Sequence, residues 1–310
     1  MMAAHTDVTV SIIVPVRNAG TDVEGLLTAL AAQSFPSERF EVIFGDDGST
    51  DGSLATVTSG PVRARVVTCS PKNAYSARNR AVAEARGSVL AFCDADCRPA
   101  PGWLAAGIAE LDRADIVAGL IRLVIPETTP LWALADLDTF LDQERSVRAN
   151  AAVTANLFVR RELFEAVGGF DDALPGHGDF AFVESCVAVG GRLGFSRNAA
   201  LEHPARAEGS QLLAKVREMH RSYAVRAALS GMRPDGLKLR NWVPVVQTAR
   251  SRRRGGRPLG LDPRRLADSG VRPGLLRRLS VLPIIYLAIP YAGCIGQLEG
   301  WRSVRRAGRA

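Results

Sequence analysis

Three stretches of this chain carry residue types at spacings suited to chemistry. Cys93-Asp94-Ala95-Asp96-Cys97 packs two thiols and two carboxylates into five positions. Thiolates suit zinc, whereas paired carboxylates suit magnesium and manganese, so this stretch alone leaves the metal open. FGDDGSTDGS, residues 44 to 53, sets adjacent carboxylates Asp46 and Asp47 ahead of turn residues, a pattern that a solvated turn also produces. AYSARNRAVAEARG, residues 74 to 87, opens a helix-like run with Ser76 as its expected cap and Arg78 in the first turns. A guanidinium there is placed either to clamp a diphosphate beside the helix N–H groups or to sit in solvent.

The sequence contains a control for the paired aspartates. A bare D-x-D is expected about once by chance in a chain of this size. Asp136-Leu137-Asp138 shows the same spacing within a helical pattern, where residues two apart point about 160° away from each other and share no cation. In an extended strand end they lie on one face. Asp94 and Asp96 are therefore expected to converge on one cation, with Cys93 and Cys97 turned inward as small apolar side chains. The histidines, at 5, 177, 203 and 220, form no H-x-x-x-H or E-x-x-H group, which argues against a structural zinc. His177 and His203 are of interest for position only.

The elements that must position these groups follow from the apolar pattern. Short runs at 8–16, 40–47, 63–69, 88–96 and 114–123 alternate with helix-like segments at 22–33, 73–86 and 101–113. Runs of that length with little alternation read as buried parallel strands in right-handed β-α-β units. Ligands of such open α/β sheets bind beyond the carboxyl ends of the strands, and the carboxylate motifs fall there. Further on come a helix near 131–143, an apolar run at 153–159, a glycine-rich turn at 168–180 and a helix at 210–230. After Pro234 the composition turns to Arg, Gly and Pro, and residues 279–298 carry no charge. The expected division is 1–230 for the catalytic domain, 231–278 for a basic linker or arm, and 279–310 for an apolar C-terminal segment.

Bulk properties exclude some functions. The net charge is +7, but residues 250–278 hold ten arginines against two aspartates, or +8, which leaves 7 − 8 = −1 for the rest. A basic excess confined to one segment describes an arm that meets an anionic surface, not a nucleic-acid-binding body. The five cysteines, at 69, 93, 97, 186 and 294, are odd in number and lack C-x-x-C spacing, and MMAAHTD lacks signal-peptide features. Both point to a reduced, cytoplasmic protein.

Taken in order, SIIVPVRN (11–18), GDDGSTDGS (45–53), SARNRAVAEARG (76–87), LAFCDADC (90–97) and GGFDDALPGHGDFAF (168–182) resemble the family 2 glycosyltransferases over roughly residues 8 to 205. The resemblance implies a GT-A fold: a Rossmann-like, mostly parallel central sheet flanked by helices, here with a C-terminal helical, membrane-associating extension. It implies inverting transfer of a sugar from a nucleoside-diphosphate sugar, with UDP favoured, to a hydroxyl of a saccharide or lipid-linked acceptor. By similarity Pro15 and Arg17 line the nucleotide pocket, Asp47 accepts a hydrogen bond from the base with Asp46 beside it, and Arg78 lies near the diphosphate. Asp96 would ligate Mn2+ or Mg2+, Asp94 would contact ribose or a metal-bound water, and His203 would stand near the metal. Asp179 matches the catalytic base; the family's Glu-Asp pair reads Gly178-Asp179 here, which puts acceptor or sugar contacts in doubt.

Two alternatives stand beside this. A degenerate nucleotide-sugar-binding protein would have lost Asp96 or Asp179, and both are present. A sugar nucleotidyltransferase would need a glycine-rich loop after the first strand, where PVRNAG has one glycine. The apolar segment is long enough to span a bilayer, yet Pro283 and Pro290 are expected to break its helix, and arginines at 277, 278, 302, 305 and 306 flank it. It reads as an interfacial or re-entrant anchor with the basic arm against anionic lipid, or else as a buried helix pair.

Overall fold

The computed structural model describes residues 8–57, 60–229, 231 and 261–307. In chain order its elements are β1 (Val10–Val16), α1 (Asp22–Ala31), β2 (Phe40–Asp46), β3 (Ala64–Thr68), α2 (Ala74–Ala83), β4 (Val89–Cys93), β5 (Arg98–Pro99) and α3 (Trp103–Glu110). There follow β6 (Ile116–Val124), α4 (Leu131–Thr139), α5 (Gln143–Arg148), β7 (Asn156–Arg160), α6 (Arg161–Ala166), α7 (Gly178–Ala188), β8 (Leu193–Pro204) and α8 (Gly209–Leu229). The last described elements are α9 (Pro263–Asp268), α10 (Leu275–Ser280), a π-helical turn (Ile284–Ala288) and α11 (Ile289–Ala307). Two compact units result. The first takes the chain up to Arg122, Asp142–Ala173 and Gly178–His203, and the second takes Leu123–Leu141, Leu174–His177 and the chain from Pro204 onward.

The first unit holds one eight-stranded sheet in the order β3-β2-β1-β4-β7-β6-β8-β5. β3, β2, β1 and β4 run parallel, and β7 lies antiparallel to both β4 and β6. β4 and β6 thus keep the common direction that their β-α-β pattern requires, with a strand from much later in the chain laid between them in reverse. Asn156 holds β7 there: it accepts from Trp103 Nε1 at 2.8 Å and donates to the carbonyls of Leu120 and Ala199, each at 2.9 Å. Every polar atom of that buried amide is satisfied, as a buried position demands.

β1 and β2 are buried on both faces, which is why they read as unbroken apolar runs. Glu41, fully buried, is the exception. Burial opposes its charge, but Ser11, the backbone N–H of Arg86 and the guanidinium groups of Arg65 and Arg86 together hold its carboxyl below the ordinary range. This polar knot ties the amino ends of β1 and β2 and leaves their carboxyl ends to the site.

Several expectations need correction. The β4 strand ends at Cys93, so Asp94-Ala95-Asp96 is a turn closed by Cys97 N–H to Asp94 C=O at 3.1 Å, not an extended strand end. Ser76 is not the α2 cap; Asn73 is, its side chain accepting from Tyr75 N and Ser76 N. The helix read at 131–143 breaks at Phe140, and Asp142 caps α5 by accepting from Arg145 N. Pro283 and Pro290 do not interrupt the C-terminal helix. The π turn between them opens the ring in which Pro290 lacks its N–H and lets the helix continue.

The second unit packs Leu134, Leu137, Leu212, Val216, Leu266, Val281 and Ile285 into its own core. Asp136, the helical control, is buried there and takes both the backbone N–H and the guanidinium of Arg206. The basic arm expected at 231–278 and His5 fall largely or wholly outside the described residues.

α2 lies directly on β2 because Gly45 has no side chain: a Cβ there would overlap the Ala77 carbonyl oxygen. Gly45→Ala should therefore destabilise the protein by about 2–3 kcal/mol through overpacking, read as a lower urea midpoint with an unchanged slope.

Candidate active site

The turn after β4 and the end of β8 bring three donors together. One ligand atom each from Asp94, Asp96 and His203 lie within 4.8 Å of one another. His203 Nε2 stands 3.5 Å from Asp96 Oδ1, and that buried oxygen has no hydrogen-bond partner. Burial pushes the Asp96 carboxyl above its ordinary value, His203 partly offsets this, and Asp94 adds to it. An orphaned carboxylate oxygen beside a second carboxylate and an imidazole fits a divalent cation, and the two oxygen donors suit manganese or magnesium. Cys93 and Cys97 do not belong to this set. Both are fully buried, and burial raises their thiols far enough to keep them protonated and unsuited to zinc.

Arg78 joins this group to the rest of the site. Its side chain is only 5% exposed and donates from Nη2 to Asp94 Oδ1 at 2.6 Å. The guanidinium carbon also stands 5.9 Å from the centre of the Tyr75 ring. Its Nε is buried with no hydrogen-bond partner, so the buried cation keeps a donor in reserve. Arg78 is thus not the solvent-facing helix arginine that its sequence also allowed.

Tyr75 was not singled out by the sequence. Burial raises its phenol, the charge of Asp179 raises it further, and the charge of Arg78 with the backbone N–H groups of Gly178 and Asp179 offsets this in part. The ring packs on Gly178, where a Cβ would come within 2.8 Å of it. Gly178, where the resemblance implies a glutamate, is thus the residue that admits Tyr75 to the start of α7. Asp179 lies in the first turn of that helix and accepts from Phe180 N at 3.0 Å. The signal was the pairing of an unusual glycine with an aromatic at the opening of another motif, and it is meaningful only in three dimensions. His177, with φ of 59°, belongs to the second unit, its ring 6.2 Å from that of Tyr223.

At the carboxyl ends of β1 and β2, Asp46 and Asp47 are both 5% exposed. Asp47 accepts from Lys72 N at 2.6 Å and from Arg17 Nη1 at 3.5 Å, while Asp46 accepts from Ser49 N at 2.8 Å and shapes the turn. The Arg17 side chain is 59% exposed and reaches over Asp47. Pro15 pairs with Gly45 in the sheet and is half-buried.

The loop that leads to Asp179 is tied to α2. Asn79 donates to Phe170 C=O at 2.7 Å and accepts from Phe170 N at 3.0 Å. Lys72 Nζ pairs with Asp172 at 2.8 Å, and Asn73 Nδ2 donates to Asp172 C=O at 3.0 Å. Phe170 stands 4.6 Å from Phe182, 5.3 Å from Phe92 and 5.8 Å from Tyr75, centre to centre. Each such pair adds about 0.5–1.5 kcal/mol beyond its buried area.

Comparison with known proteins places the chain in a family and a fold. The glycosyl transferase family 2 model covers residues 11–168. Glycosyltransferase AglE of Haloferax volcanii is 30% identical over 215 residues, 67% of this chain and 71% of that protein. The chain belongs to glycosyl transferase family 2. Among solved structures the transferase superposes with TM-score 0.55 on a mannosyltransferase from Pyrobaculum calidifontis in complex with GDP-Man and Mn2+, at 18% identity over 97% of this chain and 75% of that one. It superposes with TM-score 0.54 on S. aureus TarS in complex with UDP-GlcNAc, at 18% identity over 96% of this chain and 92% of that one. At that identity the likeness establishes the GT-A fold.

The raised Asp96 value gives a test with a definite sign. A carboxyl whose folded-state value is raised contributes stability only while protonated, and that contribution is lost as pH rises through the raised value. In the cation-free transferase the ionised form of Asp96 is therefore disfavoured relative to the unfolded chain. Asp96→Asn should raise the cation-free melting temperature by roughly 1–4 °C and show no further rise with manganese, where the wild type is expected to show one, both read by calorimetry.

Proposed function

We propose that this family 2 glycosyltransferase transfers a sugar, with inversion, from a nucleoside-diphosphate sugar to an acceptor hydroxyl. The observation that carries the reading is an unbroken series of neighbours, Asp179 to Tyr75 to Arg78 to Asp94 to Asp96 and His203, which links a carboxylate to the cation donors. Asp179 is the base: it takes the acceptor proton as the hydroxyl attacks, an effect typically of about 10²- to 10⁴-fold. One base without a covalent intermediate gives a single displacement, hence inversion. Asp96, with Asp94 and His203, would hold manganese or magnesium, which would supply Lewis-acid stabilisation of a diphosphate leaving group. Arg78 holds Asp94 in place and keeps Nε for the diphosphate. Pro15, Arg17 and Asp47 form the base pocket, with Asp46 setting the turn. The Asp47 carboxylate offers an acceptor to a base N–H, as uracil provides, and the structural neighbours include both GDP-Man and UDP-GlcNAc complexes.

Gly178 in place of the usual glutamate favours a second reading, a nucleotide-sugar-binding protein without turnover. One pair of measurements separates them. Asp179→Asn should keep donor binding in calorimetry and lower transfer or slow donor hydrolysis by about 10²-fold or more. If wild type and variant bind donor equally and neither turns over, the second reading holds.

We further propose that residues 1–230 carry catalysis and that the rest places the enzyme at the inner face of a membrane, with the arm within 231–278 and the segment 279–310 as its contacts. A saccharide or lipid-linked acceptor of envelope glycan synthesis would suit that location. In support, the helix Leu275–Val304 is apolar and long enough to cross a membrane. In α10, Leu275, Leu276 and Leu279 are 72%, 80% and 52% exposed, and beyond it Leu287 and Tyr291 are 49% and 58% exposed. Exposed leucines in such a row mark a surface that is covered in use, and an interfacial helix buries such a face among headgroups. Leu276→Glu with Leu287→Glu should cut sedimentation with anionic vesicles by about tenfold or more; undiminished sedimentation would refute the membrane reading.

A further inference from the structure

In the second unit α8 and α11 lie in backbone contact. A Cβ at Gly296 would overlap the Arg217 carbonyl oxygen, and one at Gly300 would overlap that of Arg221. So close an approach sets the side chains along the seam against each other. Arg217 and Arg221 are four residues apart on α8, and Arg302 and Arg306 four apart on α11, so each pair shares a helix face. Together they line an open surface cavity of about 550 Å3, with their side chains exposed, that also takes in the carboxylate residues Glu218 and Glu299.

The carboxylates are already engaged. Arg217 Nε donates to Glu299 at 2.8 Å, its Nη2 takes the other oxygen, and Lys215 pairs with Glu218 at 3.3 Å. The hydrogen bond to Arg217, with the charges of Arg217, Arg221 and Arg302, holds the Glu299 carboxyl below its ordinary value, so it stays ionised. Arg221, Arg302 and Arg306 form no ion pair among the described residues. Like charges gathered in one cavity repel unless an anion joins them, and planar guanidinium forks match phosphate oxygens two at a time.

The anion's source follows from the same helix. Leu287, Tyr291, Leu298 and Arg302 are spaced four, seven and four residues apart, so one helix face leads from exposed apolar residues into the cavity. An interfacial helix meets acyl chains and headgroups in that way. We propose that this cavity binds the phosphate of an anionic phospholipid headgroup, with Arg221 and Arg302 as the principal donors. The proposal rests on the membrane reading above and adds a defined site to it.

The test floats the full chain with vesicles of phosphatidylcholine alone or mixed with phosphatidylglycerol. Arg221→Ala with Arg302→Ala should weaken binding to the mixed vesicles by about tenfold or more, while cation-dependent donor hydrolysis and the melting temperature stay near wild type. Arg221→Lys with Arg302→Lys, which keeps the charge but not the fork, should fall between. Arg63→Ala with Arg113→Ala, which removes the same charge from exposed positions of the first unit, should change little. Equal losses in the cavity and control variants, or full binding by the lysine variant, would reduce the effect to bulk charge and overturn the site. Saturable 31P line broadening of inorganic phosphate by wild type, without preference for phosphatidylglycerol, would assign the cavity to free phosphate and overturn the lipid assignment. Loss of binding in the leucine variant but not in the arginine variants would sink the site and leave the membrane reading standing; no vesicle binding by wild type would sink both.

Discussion

The site is organised around one buried cation. Arg78 is drawn from water onto a single charge-assisted hydrogen bond to Asp94, with an aromatic face on its other side. Removing a charge from water costs several kcal/mol, and breaking a buried pair by deleting one partner strands the other. The pair therefore holds the turn after β4 to helix α2 more firmly than either sequence could alone. Because α2 also bears Tyr75 and Asn79, fixing its roll about β2 sets the carboxylates of that turn, the start of α7 and the loop before it together. Gly45, beneath the helix, is what lets it lie deep enough for Arg78 to reach.

Much of this was legible in the sequence. β1, β2 and β4 were readable because burial on both faces leaves them mostly apolar, and the carboxylates at their ends mark the open side of the sheet. The inward cysteines and the convergence of Asp94 and Asp96 were also foreseen, but on the wrong geometry. Strand parity suggested the result, whereas a turn after the strand produces it. Ser76 and Asn73 are equally good caps by type; the choice depends on where the backbone enters the helix. The place of β7 depended on a buried amide, Asn156, whose three hydrogen bonds reach residues distant in sequence.

What remained hidden was relational. Gly178 put acceptor or sugar contacts in doubt when read alone, yet in the fold it packs against the ring of Tyr75, about a hundred residues earlier in the chain. The prolines of the C-terminal segment looked like breaks because each removes one hydrogen bond. A local widening of the helix absorbs that loss, and only a continuous helix can bring the arginines of its far end alongside α8.

Asn73 carries a further consequence. Its side-chain oxygen caps α2, while its nitrogen holds the Asp172 carbonyl in the loop before α7. The two halves of one amide therefore serve different parts of the site. Exchange of that nitrogen for oxygen, the change that slow deamidation makes, would leave the cap intact, since a cap needs only an acceptor. The same change would turn the loop contact repulsive, with a carboxylate facing a carbonyl oxygen. The chain thus holds a position where chemical ageing by a single atom would loosen the approach to Asp179 while the helix beneath it stayed folded.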